Sequence, residues 1–395
     1  MQTRHFLFLQ GLPGPAFRRI ARRLEMQGHA VSRLNFTGGD LADWHFGGTA
    51  YRGTAAGFGD WLCAHAAQAK VTDLVLLGDR RPLHRQAIDA ARQLGIDVHV
   101  FEEGYLRPNS VTIERWRHGQ PWQAPASLAE CLARTDGGAF AEAGIENRFM
   151  RRWREAVAYW LWTVLLWPLF PRYRSHRALS ASGEMLAWLR RYLRRSREYR
   201  QSAAALTVLG EQPYFLFPLQ LDGDAQLVHR SPFASMEQAV AAVFASFAGH
   251  APDDLHLLVK RHPFDPDPRH WRRRIAALAS AAGLSGRVHF AEFADLDALL
   301  ARCRGVVTVN STVGGLALRQ GRAVHVLGQA LYAMPGLATA GPLDAFWAAP
   351  QPVAPENFAV FARALWQECL VNAGFHGKDA LARLEGEAAR RLGRE

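Results

Sequence analysis

The chain has 395 residues, 49% hydrophobic and 21% charged, with a formal net charge of +11 at pH 7. This is ordinary globular composition with enough apolar material for a sizeable core, and the length suggests about two domains. The positive balance calls for an anionic partner, whether nucleic acid, an acidic leaflet or a phosphorylated substrate. Four widely spaced cysteines (Cys63, Cys131, Cys303, Cys369) form no CxxC or Cys/His cluster, so they indicate neither a disulfide framework nor structural zinc.

Met1 to Gln10 holds a short apolar run without an extended h-region and cleavage site, so it reads as a first strand in a cytoplasmic protein rather than a signal peptide. Strand-like and helix-like runs then alternate: Phe6 to Leu9, a helix near Pro15 to Gln27, His29 to Asn35, Leu74 to Leu77 and Val98 to Glu102. That alternation predicts a parallel sheet flanked by helices. The turn from Gln10 and Gly11 to Pro15 follows the first strand as a substrate loop would, but it is no GxGxxG.

Arg148 to Arg200 is the least typical stretch, with Trp153, Trp160, Trp162 and Trp167 among Arg151, Arg152, Arg172, Arg174 and Arg177. Its apolar part is roughly 15 residues, short of the ~20 that span a bilayer as a helix. The coincidence of tryptophan and arginine suits an element lying on an anionic membrane surface, and the alternative is a buried helical hairpin.

A second alternating series starts near Pro213: Tyr214 to Leu219, a helix around Met236 to Phe247, Leu255 to Lys260, a helix around Arg269 to Ala282, Val288 to Phe290 and Val306 to Val309. From Pro355 onward the chain reads as helices. The expected class is α/β, with two Rossmann-like domains facing across a cleft in the glycosyltransferase-B manner and a helical insertion. The expected boundaries are 1–147, 148–205 for the insertion, 206–350, and 351–395 for C-terminal helices packing across the seam.

Four constellations sit at predicted strand ends. Glu102 and Glu103, in FEEGYLRP with Arg107, are adjacent carboxylates, of which one should face inward; their repulsion is expected to raise one pKa and favour a general acid. Gln220 precedes Asp222 and Asp224, with His229 following. Two aspartates flanking a glycine either hold a divalent metal against a nucleotide diphosphate or carry carboxylate chemistry, as nucleophile or charge stabiliser. Lys260, Arg261 and His262 before Pro263 deliver three potential cations for a phosphate. Asn310, Ser311 and Thr312 before Gly314 open a helix whose N-terminal amides suit an anion. Each motif alone is compatible with an ordinary turn or cap; their order along the chain makes them an expected active site.

Taken together, these stretches resemble the capsule polysaccharide biosynthesis family, particularly its KpsS/LipB-type members. The matching segments are FLQGLPGPAFRRIARRLEMQGHAVSRLNFTGGD, LGDRRPLHRQA, FEEGYLRP, PLQLDGDAQL, VKRHPFD and VNSTVGGLALRQGRAVHVLGQALYAMPGL, from about Phe8 to Leu337. The resemblance implies a retaining β-Kdo transferase that takes CMP-β-Kdo as donor, needs no metal or other cofactor, and acts on a phosphatidylglycerol-type lipid. It implies Asp224 as nucleophile, Glu103 or Glu102 as acid, and Lys260, His262, Asn310, Ser311 and Thr312 on the CMP moiety. Gln10, Gly11, Gly38, Gly39 and Asp40 would line the acceptor side.

The partners implied are a nucleotide sugar, an anionic lipid, the inner face of the inner membrane and other capsule assembly enzymes, with no nucleic acid. A different class of reading is a noncatalytic export or scaffold component at that membrane.

Overall fold

The computed structural model describes residues 3–393, except 137, 139–141, 146–148, 175–180, 222–226, 228, 229, 266 and 268. The chain forms two compact units: Met1–Gln123 with Gly137–His176 and Leu365–Glu395, and Ala124–Asp136 with Arg177–Ala364. The stretch expected as one insertion, 148–205, therefore divides between the units, and the chain from Leu365 belongs to the first.

In the first unit, β1 (His5–Phe8), β2 (Ala30–Asn35), β3 (Thr49–Ala50), β4 (Asp73–Leu77), β5 (Asp97–Glu103), β6 (Val111–Trp116) and a short C-terminal strand Leu370–Val371 form one sheet. Its order is Leu370–Val371, β6, β5, β4, β1, β2, β3. The strands from β5 to β3 run parallel, while β6 and the C-terminal strand add an antiparallel edge. Strand alternation sends Phe6 and Phe8 into one core and Leu7 and Leu9 into another, so both sheet faces are covered. The C-terminal helix Lys378–Gly393 packs on Ala16–Met26 over the first of these cores.

In the second unit, β7 (Tyr214–Pro218), β8 (His256–Lys260), β9 (Val288–Ala291), β10 (Gly305–Thr308) and β11 (Ala323–Val326) are all parallel, in the order β11-β10-β7-β8-β9. Phe215, Phe217, Leu257 and Val259 join a core with the helices Met236–His250 and Trp271–Ala281. Each unit thus has the doubly wound α/β layout. In each, the strand order reverses beside the unit's first strand, between β1 and β4 and between β7 and β10, and ligands of such sheets bind outside the carboxyl ends at that reversal.

Candidate functional site

At the reversal point of the second sheet, Gln220 follows β7 by two residues and Asn310 follows β10 by two. Gln220 Nε2 donates to Asn310 Oδ1 at 2.6 Å, and Asn310 N donates to Gln220 Oε1 at 3.0 Å. Ser311 then caps the helix Thr312–Arg319, its Oγ accepting from Val313 N at 3.2 Å. Gly314 is required by packing: a Cβ there would meet the Tyr332 hydroxyl oxygen at 2.2 Å, and that hydroxyl is anchored on the Ser311 carbonyl. The turn is therefore rigid, with the amide-rich end of the helix at the carboxyl edge of the sheet.

Lys260 ends β8 in register with Pro218 of β7, which brings it to the same edge. Burial, then Arg261 and Arg191, lower its pKa. His262 Nδ1 accepts from Phe264 N at 3.1 Å, so the neutral ring carries its proton on Nε2. Pro263 offers its carbonyl to Arg191 Nη1 at 2.6 Å. Of the three expected cations, Arg261 is not directed at a ligand. It is 1% exposed and ion-paired with Glu198 Oε2 at 2.6 Å and Asp267 Oδ2 at 3.2 Å, which fixes the loop to the helix Ala181–Leu209. Asp222, Asp224 and His229 lie outside the described residues.

In the first unit, Glu102 and Glu103 close β5, and neighbouring residues in a strand point to opposite faces. Mutual repulsion does not raise the pKa of Glu103. Burial works against its ionisation, but Arg107 and Arg152 outweigh it and hold the carboxyl below the usual glutamate range. Arg152 Nη1 lies 2.6 Å from Glu103 Oε1 and Arg107 Nη2 lies 3.0 Å from Oε2. Glu103 is a standing carboxylate, suited to accept a proton first.

Gly38, Gly39 and Asp40, expected on the acceptor side, instead build the seat of the helix Phe149–Leu165. Thr37 and Asp40 form a capping box for Gly38–Asp43. Asp40, 1% exposed, is ion-paired with Arg33 at 3.2 Å and accepts from Phe36 N, Thr37 N and the Tyr159 hydroxyl at 3.0–3.1 Å. A Cβ on Gly38 would lie 2.2 Å from the Trp162 carbonyl oxygen, and one on Gly39 2.6 Å from Tyr159. These glycines are small because another helix approaches.

Gln10 bridges this network to a second cation: its Nε2 donates to Tyr159 at 2.9 Å and its Oε1 accepts from Arg81 Nη1 at 3.0 Å. Gly11 packs on Phe17 and offers its carbonyl to Arg81 at 3.5 Å. Sequence reasoning passed over Arg81, the pairing of Arg152 with Glu103 and the pair of Glu155 with His376, whose Nδ1 donates to Glu155 Oε2 at 2.6 Å. Arg81 stood inside a quoted motif; His376 carried no local signal.

The helix Phe149–Leu165 is half in and half out of the fold. Tyr159 and Thr163 face Gly39, while Trp153, Leu161, Val164, Leu165 and, just beyond, Trp167 are exposed. Among the described residues, no helix is long and apolar enough to cross a membrane.

Comparison with known proteins gives a consistent relationship. The family described as capsule polysaccharide biosynthesis protein matches residues 72–376. The capsule polysaccharide export protein KpsS of Escherichia coli is 31% identical over 380 residues, covering 95% of this chain and 98% of that protein. The capsule polysaccharide modification protein LipB of Neisseria meningitidis serogroup A is 28% identical over 387 residues, covering 95% and 92%. A solved Thermosulfurimonas dismutans KpsC, beta Kdo 2,7 transferase, aligns over 98% of this chain and 99% of its own at 13% identity and a TM-score of 0.47. The chain belongs to the capsule polysaccharide biosynthesis protein family.

Proposed function

We propose that the protein is a retaining glycosyltransferase that moves Kdo from CMP-β-Kdo to a (lyso)phosphatidylglycerol-type lipid, starting a capsule polysaccharide linker at the inner face of the inner membrane. The observation that carries this reading is the Gln220–Asn310 lock, set beside the Ser311-capped helix and Lys260 along three adjacent strand ends. Amide donors and cations at one sheet edge are what a nucleoside monophosphate leaving group requires. Family membership supports capsule synthesis as the setting.

In this reading Asp224 attacks the anomeric carbon as CMP departs with its phosphate held by Lys260, His262 and the turn from Asn310 to Thr312. The acceptor hydroxyl then attacks the same carbon, its proton passes to Glu103, and Asp224 leaves as carboxylate, so two inversions give retention. A single phosphate held by protein cations dispenses with a metal, and no other cofactor is invoked. The exposed face of Phe149–Leu165, with the exposed Arg154, Arg172 and Arg174, would rest on the anionic leaflet that carries the lipid.

The test is to incubate purified protein with CMP-Kdo and short-chain lysophosphatidylglycerol and read the product mass. A lipid heavier by one or more Kdo residues, lost in Asp224→Asn, supports the assignment; full transfer by that variant removes the nucleophile from it. The designation of the E. coli relative as an export protein favours a second reading, a noncatalytic component that binds membrane and partners and releases no CMP.

A further inference from the structure

At the reversal point of the first sheet, outside the carboxyl ends of β1 and β4, lies a cavity of about 180 Å³. Its lining includes Gln10, Arg81, Arg172 and Arg174 together with the rings of Tyr51 and Tyr173, and no acidic side chain among the described residues. Arg81 is held there by Gln10 Oε1 at 3.0 Å, and Gln10 is itself fixed by the buried Asp40 and Tyr159. Arg81 also stands at the N-cap of the helix Pro82–Leu94, which has no side-chain cap and no acidic residue in its first turn. Pro82 lacks an N–H, so the first backbone donors of that helix belong to Leu83 and His84, both on the cavity wall.

Three guanidinium groups, a helix N-terminus and a concave wall at a sheet's reversal point make an anion site, and the aromatic rings make its other wall apolar. A dry cavity of about 150 Å³ accepts benzene, so this one has room for a phosphate ester with a small organic substituent.

We propose that this cavity is a phosphate-ester subsite in which Arg81, with Arg172 and Arg174, holds the phosphodiester of the acceptor. The identification of the ligand as acceptor rests on the transferase reading above; the anion site itself does not.

The experiment titrates the full-length protein, without donor, by calorimetry with short-chain lysophosphatidylglycerol, glycerophosphoglycerol and inorganic phosphate. It compares wild type with Arg81→Gln and with Arg172→Gln, an exposed position whose guanidinium also donates to the Arg52 carbonyl at 3.3 Å, and the melting temperature of each variant is read alongside. Binding of the two esters, weakened at least tenfold by either substitution while CMP affinity is unchanged, supports the subsite. Ester binding insensitive to both substitutions overturns it, and inorganic phosphate binding as tightly as the esters overturns the ester assignment. Arginine-dependent ester binding without any sugar transfer leaves the subsite standing and removes the transferase reading. Transfer whose acceptor KM is unmoved by both substitutions removes the subsite alone.

Discussion

Gln220 and Asn310, ninety residues apart, lock the ends of β7 and β10 together through two hydrogen bonds of 2.6 and 3.0 Å. The amide of Gln220 satisfies both the side chain and the backbone N–H of the residue that leads into the capped helix. Gln220→Leu leaves both groups of Asn310 without this partner and frees the turn to drift. The turn then presents its amides less well preorganised to the phosphate, and CMP affinity should fall on the order of tenfold. Calorimetric titration with CMP checks this, and an unchanged dissociation constant would assign the pair to the fold alone.

Glu103 gives a pH prediction whose sign is fixed by its neighbours. Arg107 and Arg152 hold its pKa below the ordinary glutamate value despite burial, so the carboxylate persists into acid and is lost only as pH falls through that depressed value. Removing a guanidinium must raise that pKa. Arg152→Ala should therefore shift the acid limb of the kcat/KM profile to higher pH, while Glu103→Gln should lower kcat by about 10²-fold or more. A limb that stays in place in Arg152→Ala would show that another group sets it.

Most parallel strands were legible because they are short apolar runs separated by helical periodicity, and β1, β2, β4, β5 and β7 to β10 fall where the pattern puts them, whereas the short β3 and β11 were missed. The antiparallel edge was not. Val111–Trp116 carries polar Thr112, Glu114 and Arg115, and its C-terminal neighbour is only Leu370–Val371, too short to give a pattern. At the site, Gly38 and Gly39 announced a close approach but not what approaches. Arg81 looked like Arg80 and Arg85 beside it, and only the pairing of β1 with β4 brings it to Gln10. One glutamate was expected to face inward with a raised pKa, but adjacency in sequence did not show that Arg107 and Arg152 would hold Glu103 ionised.

Asp43 supplies a stability prediction. Burial pushes its carboxyl up to about 7, against a hydrogen bond from Gly14 N at 2.9 Å that favours the charge. In the unfolded chain the group titrates near 4, so between roughly pH 4 and 7 the folded state binds more protons. Stability from this group is therefore present at low pH and lost as pH rises through 7. Asp43→Asn stays neutral and removes that slope. Its melting temperature should exceed the wild type's by several degrees at pH 8, on the order of 2 kcal/mol, and the difference should shrink at pH 5. Parallel melting curves at the two values check it, and equal differences would exclude Asp43 as the source.

The seating of Phe149–Leu165 on two glycines can be separated from what the helix does with its outer face. A Cβ at Gly38 would lie 2.2 Å from the Trp162 carbonyl oxygen and 2.6 Å from Leu166 Cβ, and backbone cannot yield as a flexible side chain can. Gly38→Ala must lift the helix, and overpacking of this kind costs about 1–3 kcal/mol, visible as a lower melting temperature. Replacing Trp153, Leu161 and Leu165 by serine acts on exposed positions instead. It should leave the melting temperature nearly unchanged and cut sedimentation with phosphatidylglycerol vesicles severalfold, since each loses apolar area available to the bilayer. If the triple variant sediments like wild type, the exposed stripe is not what holds the protein to an anionic surface.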